Sequence, residues 1–149
     1  MATLTGSSTA EIDAPLDQVW AVVEDVESAP QWQGGLKAMR ALERDGENHA
    51  VLCETETDAK VRSIKTIVRF TYDGPTRLSW SQEKGDLKSL DGRWDLEDLG
   101  DGRTRATYWI EGELGRMLGL VIRGPLVDLL RDMLAGARAN ELKKRMESG

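Results

Sequence analysis

Four Asp-Gly dipeptides, at 45–46, 73–74, 91–92 and 101–102, punctuate the stretch from Leu36 to Glu113, and Gly85-Asp86 adds another turn signal. Such dipeptides mark tight hairpins, because both residues accept the positive backbone angles those turns demand. Between the marks, residues alternate with a period of two. Val51, Cys53, Thr55 and Thr57 share one face, and Leu52, Glu54, Glu56 and Asp58 the other. Ile64, Thr66, Val68, Phe70 and Tyr72 alternate with Ser63, Lys65, Ile67, Arg69 and Thr71. Leu78, Trp80 and Gln82 follow, then Leu90, Gly92, Trp94 and Leu96, then Ala106, Tyr108 and Ile110. Strands with one greasy and one charged side belong to an antiparallel sheet wet on one face. Asp91-Gly92 falls inside such a run, so it reads as a bulge and not a turn.

The dry face needs a cover. Leu126, Leu129, Leu130, Met133, Leu134, Ala137 and Leu142 fall at helical spacing between Pro125 and Met146, giving a long amphipathic helix. Pro125 cannot continue a helix smoothly, so Met117 to Arg123 is a separate turn or a kinked lead-in. At the other end Thr3 to Ile12 is a β-prone opening, and Asp13-Ala14-Pro15 starts a helix that runs to about Glu24. A second short helical turn, Glu27 to Trp32, ends at Gln33-Gly34-Gly35. The order predicts an α+β fold in a single domain, residues 1–149, with about seven strands in two layers with the long helix.

Composition removes several classes. The longest apolar run, Met117 to Ile122, is too short for a bilayer, and the first ten residues lack the charge and apolar block of a secretory signal. These readings predict a cytoplasmic protein without a transmembrane segment. One Cys and one His exclude an internal disulfide and the usual zinc clusters. No phosphate loop or nucleophile elbow occurs, so neither metal nor cofactor is expected. Up to Gly115 there are 22 acidic against 13 basic residues, and from Arg116 onward 4 against 7. An acidic body of this kind lacks the clustered basic face that nucleic acid requires.

Two stretches carry a resemblance. Ile12 to Trp32, I-D-A-P-L-D-Q-V-W-A-V-V-E-D-V-E-S-A-P-Q-W, has I-x-A-P after the first strand, V-W in the first helix, Asp25 at its end and P-x-W beyond. Gly92-Arg93-Trp94-Asp95-Leu96, with the Gly102-Arg103-Thr104-Arg105 turn and Ala106-Thr107-Tyr108, forms the second. In both, the chain resembles the START-like polyketide cyclase/dehydrase superfamily (SRPBCC). The resemblance implies a helix-grip fold, a curved sheet wrapped around the long helix with a hydrophobic cavity between. Members of that superfamily bind lipids, sterols, polyketides or plant hormones; some are aromatases or cyclases, and some bacterial relatives act in ubiquinone biogenesis or on ribosomes. Fold alone leaves function open.

Candidate ligand-binding residues follow from strand parity and helical position. They are Trp32, Cys53, Thr55, Thr66, Val68, Phe70, Trp80, Gln82, Trp94, Tyr108, Ile110, Met117, Leu126, Leu130 and Met133. Inward polar groups matter most, since a buried polar atom must find a partner or a ligand. Tyr108 is the candidate to bond a ligand carbonyl or hydroxyl, and the one candidate catalytic proton donor. His49 and Cys53 share a face but stand about 13 Å apart along a strand, which rules out a dyad. His49 reads as an exposed turn residue. Trp109 falls on the polar parity, either exposed or turned by a bulge, and the direction of Arg40 is ambiguous. Residues 116–125 are apolar nearly all round, and serve as a lid, as a surface for a partner or membrane, or as simple core. The leading reading is a module that binds or transports a small hydrophobic ligand. The alternatives are a polyketide cyclase, aromatase or dehydratase, and a protein- or ribosome-interaction module.

Overall fold

The period-two runs become strands where the alternation placed them. The computed structural model describes residues 3–148. Its strands are β1 (Thr3–Ile12), β2 (Leu36–Arg44), β3 (Ala50–Asp58), β4 (Ser63–Asp73), β5 (Arg77–Gly85), β6 (Ser89–Gly100) and β7 (Arg103–Glu113). They form one antiparallel sheet in the order β1-β7-β6-β5-β4-β3-β2, with β1 and β2 at the edges. Between β1 and β2 lie α1 (Leu16–Glu24) and a 3-10 helix (Val26–Gln31). After β7 come α2 (Gly115–Val121), α3 (Pro125–Arg131), a π turn (Asp132–Gly136) and α4 (Arg138–Glu147). This is the helix-grip α+β arrangement.

Alternation decides which face is dry. On β4, Ile64, Thr66, Val68 and Phe70 are buried, while Lys65, Arg69 and Thr71 are exposed. Cross-strand ion pairs tie the outer face, among them Arg77–Asp95 at 2.6 Å and Arg105–Glu97 at 2.9 Å. Arg40 joins them through Glu54 and so points outward. Exposed pairs of this kind contribute little stability each. Trp109 also faces outward, in register, with the Arg93 guanidinium 4.5 Å from its ring centre.

The bulge expected at Asp91-Gly92 is not there. Gly92 pairs regularly with Trp80 and Ile110. A Cβ at Gly92 would stand 2.4 Å from the Trp80 indole, so the glycine makes room for an inward tryptophan. Irregular register falls instead at Ile67/Val68, at Asp98/Gly100 and along β2.

The C-terminal helix has the expected length but not a uniform ladder. The Ala137 N–H donates to the Asp132 carbonyl at 2.9 Å, a five-residue step. Ser8 on β1 accounts for the irregularity. Its Oγ donates to the Ala135 carbonyl at 2.6 Å and accepts the Ala139 N–H at 3.1 Å. The hydroxyl thus stands where the rung between 135 and 139 would be, a known cause of helix distortion. Ser8→Ala is expected to destabilise the protein by about 1–3 kcal/mol, because it orphans a carbonyl and an N–H together. Urea unfolding checks this; an unchanged midpoint would mean that the ladder simply recloses.

Apolar packing divides in two. Ile12, Val19, Val23, Cys53, Val68, Leu78, Trp94 and Leu142 belong to the main core between sheet and helices. Leu4, Ala59, Ile64, Leu114, Leu118, Ile122, Leu130 and Leu134 form a second core under α2 and α3. The β3–β4 and β5–β6 turns and the end of β7 lie at that second end, and the Asp-Gly turns of β2–β3, β4–β5 and β6–β7 at the opposite one.

Candidate functional site

A cavity of about 120 Å³ lies between the dry face and the helices. An apolar hole of roughly 150 Å³ holds benzene, and pockets for drug-sized ligands start at about 300 Å³. In this conformation the space suits a group the size of one aromatic ring.

Strand pairing builds its aromatic wall. Phe70 on β4 is opposite Trp80 on β5, and Trp94 on β6 is opposite Tyr108 on β7. The room at Gly92 lets Trp80 reach Tyr108 as well. Ring centres lie 5.7 Å apart for Phe70–Trp80, 5.6 Å for Trp80–Tyr108 and 4.8 Å for the edge-on pair Trp94–Tyr108. Trp32, delivered by the 3-10 helix, completes the row at 6.1 Å from Trp94. Such tilted contacts add about 0.5–1.5 kcal/mol each beyond area burial. The remaining wall is mostly aliphatic, with Val23, Val26, Leu78, Leu90 and Ile110.

The polar groups divide into satisfied and unsatisfied. Thr55 and Thr66 face each other across β3–β4 with hydroxyl oxygens 2.6 Å apart, so one hydroxyl donates to the other. Arg138 is different. It is 3% exposed, the one charged residue fully buried among the described residues. Its Nη1 donates to the Gly34 carbonyl at 2.8 Å and to Glu141 Oε1 at 2.7 Å. The other Glu141 oxygen accepts the Gly34 N–H at 2.8 Å. Arg138 Nε and Trp32 Nε1 are buried with no acceptor from the protein, and both residues line the cavity. Burial pushes the Tyr108 hydroxyl well above the usual tyrosine pKa, while the neighbouring Arg138 cation pulls the other way without prevailing. Tyr108 is therefore a protonated donor at neutral pH.

Nine of the residues expected from sequence line the cavity: Trp32, Thr55, Thr66, Val68, Phe70, Trp80, Trp94, Tyr108 and Ile110. Six lie elsewhere. Cys53 is fully buried in the main core, where desolvation raises its pKa to about 11 and leaves an inert thiol. Gln82 sits near the β4–β5 irregularity and donates to the Leu87 carbonyl at 2.9 Å, off the wall. Met117 is 78% exposed on α2. Leu126, Leu130 and Met133 pack in the second core, because α3 lies over that end and only Leu134 and Arg138 of the C-terminal helix reach the cavity. His49 is not a free turn residue. It stacks on Tyr72 with centres 4.3 Å apart, and its Nε2 lies 3.2 Å from Glu24 Oε2, outside the cavity.

Arg138 carries a sequence signal that the apolar stripe hid. Leu130, Leu134, Arg138 and Leu142 repeat at four-residue steps, so a cation stands on the dry face of the helix. The inward sides of α1 and the 3-10 helix, Val23 and Val26, carried only an ordinary core pattern.

Solved structures of similar fold cover nearly the whole chain. A START superfamily protein from Mycobacterium smegmatis matches 97% of this chain and 97% of its own at 21% identity, with a TM-score of 0.81. A Thermus thermophilus protein matches over the same shares at 17% identity and 0.80. The Zhui aromatase/cyclase from a Streptomyces species matches 99% of this chain and 86% of its own at 17% identity and 0.67. These identities speak to fold alone. No curated protein matches the chain. The sequence profile described as polyketide cyclase/dehydrase and lipid transport matches residues 12–137, and the chain belongs to that family.

Proposed function

We propose that this protein binds a small, mainly apolar molecule bearing one hydrogen-bond-accepting or anionic end. The reading rests on one observation: Arg138 Nε and Trp32 Nε1, two buried donors without a protein acceptor, belong to residues of the same aromatic-walled cavity. An orphaned buried donor costs about 1–3 kcal/mol, which a carbonyl or carboxylate would recover on binding. Phe70, Trp80 and Trp94 hold the apolar body, and the Tyr108 hydroxyl adds a donor beside Arg138. A ligand longer than one ring requires the walls to part.

Binding is favoured over catalysis by the cavity's side-chain inventory. Among the described residues that line it there is no carboxylate, imidazole or thiol, so no general base faces the space. A cyclase or dehydratase reading would rest on Tyr108 as a proton donor, assisted by the Arg138 charge. Titration with benzoate and with benzene, followed by thermal shift and ligand-observed NMR, tests the binding reading. Benzoate is expected to bind, and Arg138→Met to weaken it at least tenfold, the loss of about one charge-assisted hydrogen bond. Equal binding of benzoate by the variant, or no binding by the wild type, would remove the reading.

A further inference from the structure

We propose that the end of the molecule formed by α2, α3 and the β3–β4 turn docks on an anionic membrane surface. Six large apolar side chains are exposed among the described residues. Three of them, Met117 at 78%, Leu120 at 63% and Val121 at 51%, stand on α2. Leu129, 50% exposed, is on α3, and Val61, 53% exposed, tips the β3–β4 turn. Only Leu42, on β2, lies outside these segments. Clustering of this kind marks a contact surface, whereas scattered apolar residues need no explanation.

The side chains are held on a packed frame. Ala59 of the turn, Leu118 and Ile122 around α2, and Leu130 of α3 belong to one buried core. Each segment turns some apolar residues inward and leaves others to solvent, so burial in the fold does not account for the second set.

Charge selects the partner. The β3–β4 turn (residues 59–62) and residues 114–131 carry Lys60, Arg62, Arg116, Arg123 and Arg131 against Asp128 alone, on a chain of net charge −6. Asp128 is taken by Arg131 at 2.8 Å, and Arg62 faces Asp86 at 3.8 Å. Lys60, Arg116 and Arg123 carry no ion pair with any described carboxylate. Apolar side chains flanked by unpaired cations are the pattern of an interfacial anchor, in which the tips enter the acyl boundary and the cations meet lipid phosphates. A second copy of this chain fits less well. A two-fold contact through this face would bring the same net-positive patch of two copies together.

The location has a consequence for the cavity. Leu4, Ile64 and Leu134 belong both to the core beneath α2 and to the cavity wall. Docking therefore brings the bilayer to the end of the sheet that the cavity shares, although the docking itself requires no ligand.

Flotation of the full chain with phosphatidylcholine vesicles, with and without phosphatidylglycerol, tests the proposal. Binding is expected only when phosphatidylglycerol is present, and it should fall as salt is raised. Arg116→Gln with Arg123→Gln should lower the partition about 30-fold, from the usual contribution of two surface cations. Met117→Glu with Leu120→Glu should abolish it, and the milder Met117→Ser with Leu120→Ser should lower it at least tenfold, while Leu42→Glu leaves it intact. Absence of wild-type binding would overturn the proposal, as would equal binding by the arginine variant. So would concentration-dependent self-association, lost in the Met117 and Leu120 variants, without vesicle binding. Benzoate titration of the same variants in solution reads the cavity separately.

Discussion

Glu141→Ala is expected to destabilise the protein more than Arg138→Met, although Arg138 is the more deeply buried of the two. Their side chains are 4% and 21% exposed. Removing the carboxylate leaves a guanidinium in the interior with the Gly34 carbonyl and the neutral Tyr108 hydroxyl but no counter-charge, and removes the acceptor of the Gly34 N–H. Breaking a buried pair from one side in this way costs about 3–5 kcal/mol. Arg138→Met removes the buried charge itself and fills the space with an apolar chain of similar length. Glu141 then keeps its bond to Gly34 and replaces its lost partner with water, so the cost falls to about 1–2 kcal/mol, chiefly the Gly34 carbonyl left without its donor. Urea unfolding of both variants at unchanged m-value reads the difference. If Arg138→Met proves the more damaging, the cation is a structural keystone and not a charge retained at the expense of stability.

Trp94→Ala is expected to cost about 3–5 kcal/mol, the range for deleting a large aromatic from a core. Trp94 is 2% exposed and packs on both Tyr108 and Trp32. At this chain length each kcal/mol lowers the melting temperature by about 2–4 °C, so a fall of roughly 10 °C follows. Trp109→Ala is the control on the opposite face of the sheet. It removes a half-exposed ring and one contact with Arg93, about 0.5–1 kcal/mol. Comparable losses from the two variants would contradict the inward and outward register of β6 and β7. Added indole should raise the melting temperature of Trp94→Ala more than that of Trp109→Ala, because a ligand that occupies the new hole stabilises the folded state.

Most of the fold was legible because it rests on local rules. Hairpin turns at Asp45-Gly46, Asp73-Gly74 and Asp101-Gly102 fall where the dipeptides stand, and β4 buries the face its alternation indicated. Asp91-Gly92 misled, since the glycine answers to a tryptophan on the neighbouring strand and not to its own backbone. The site was half legible. Parity identified most of the strand-borne wall from Thr55 to Ile110, because a side chain's face is fixed once its strand is, and missed at Gln82, beside the β4–β5 irregularity. It failed for the helical contributions. Leu126, Leu130 and Met133 share an apolar stripe with Leu134, and periodicity gives no information on which turn of a helix lies over a cavity and which over a second core.

Amino-acid order by itself determined the seven strands, the faces they bury and the amphipathic cover, since these depend on neighbours a few residues apart. Only the packed structure decided that Ser8 interrupts the helix ladder, that Gly34 binds both Arg138 and Glu141 in the interior, and that Trp32 and Arg138, each with an unpaired buried donor, line one small space. Those contacts join residues more than a hundred positions apart in the chain, or elements whose separation is set by the thickness of the side chains between them. No local pattern encodes such distances.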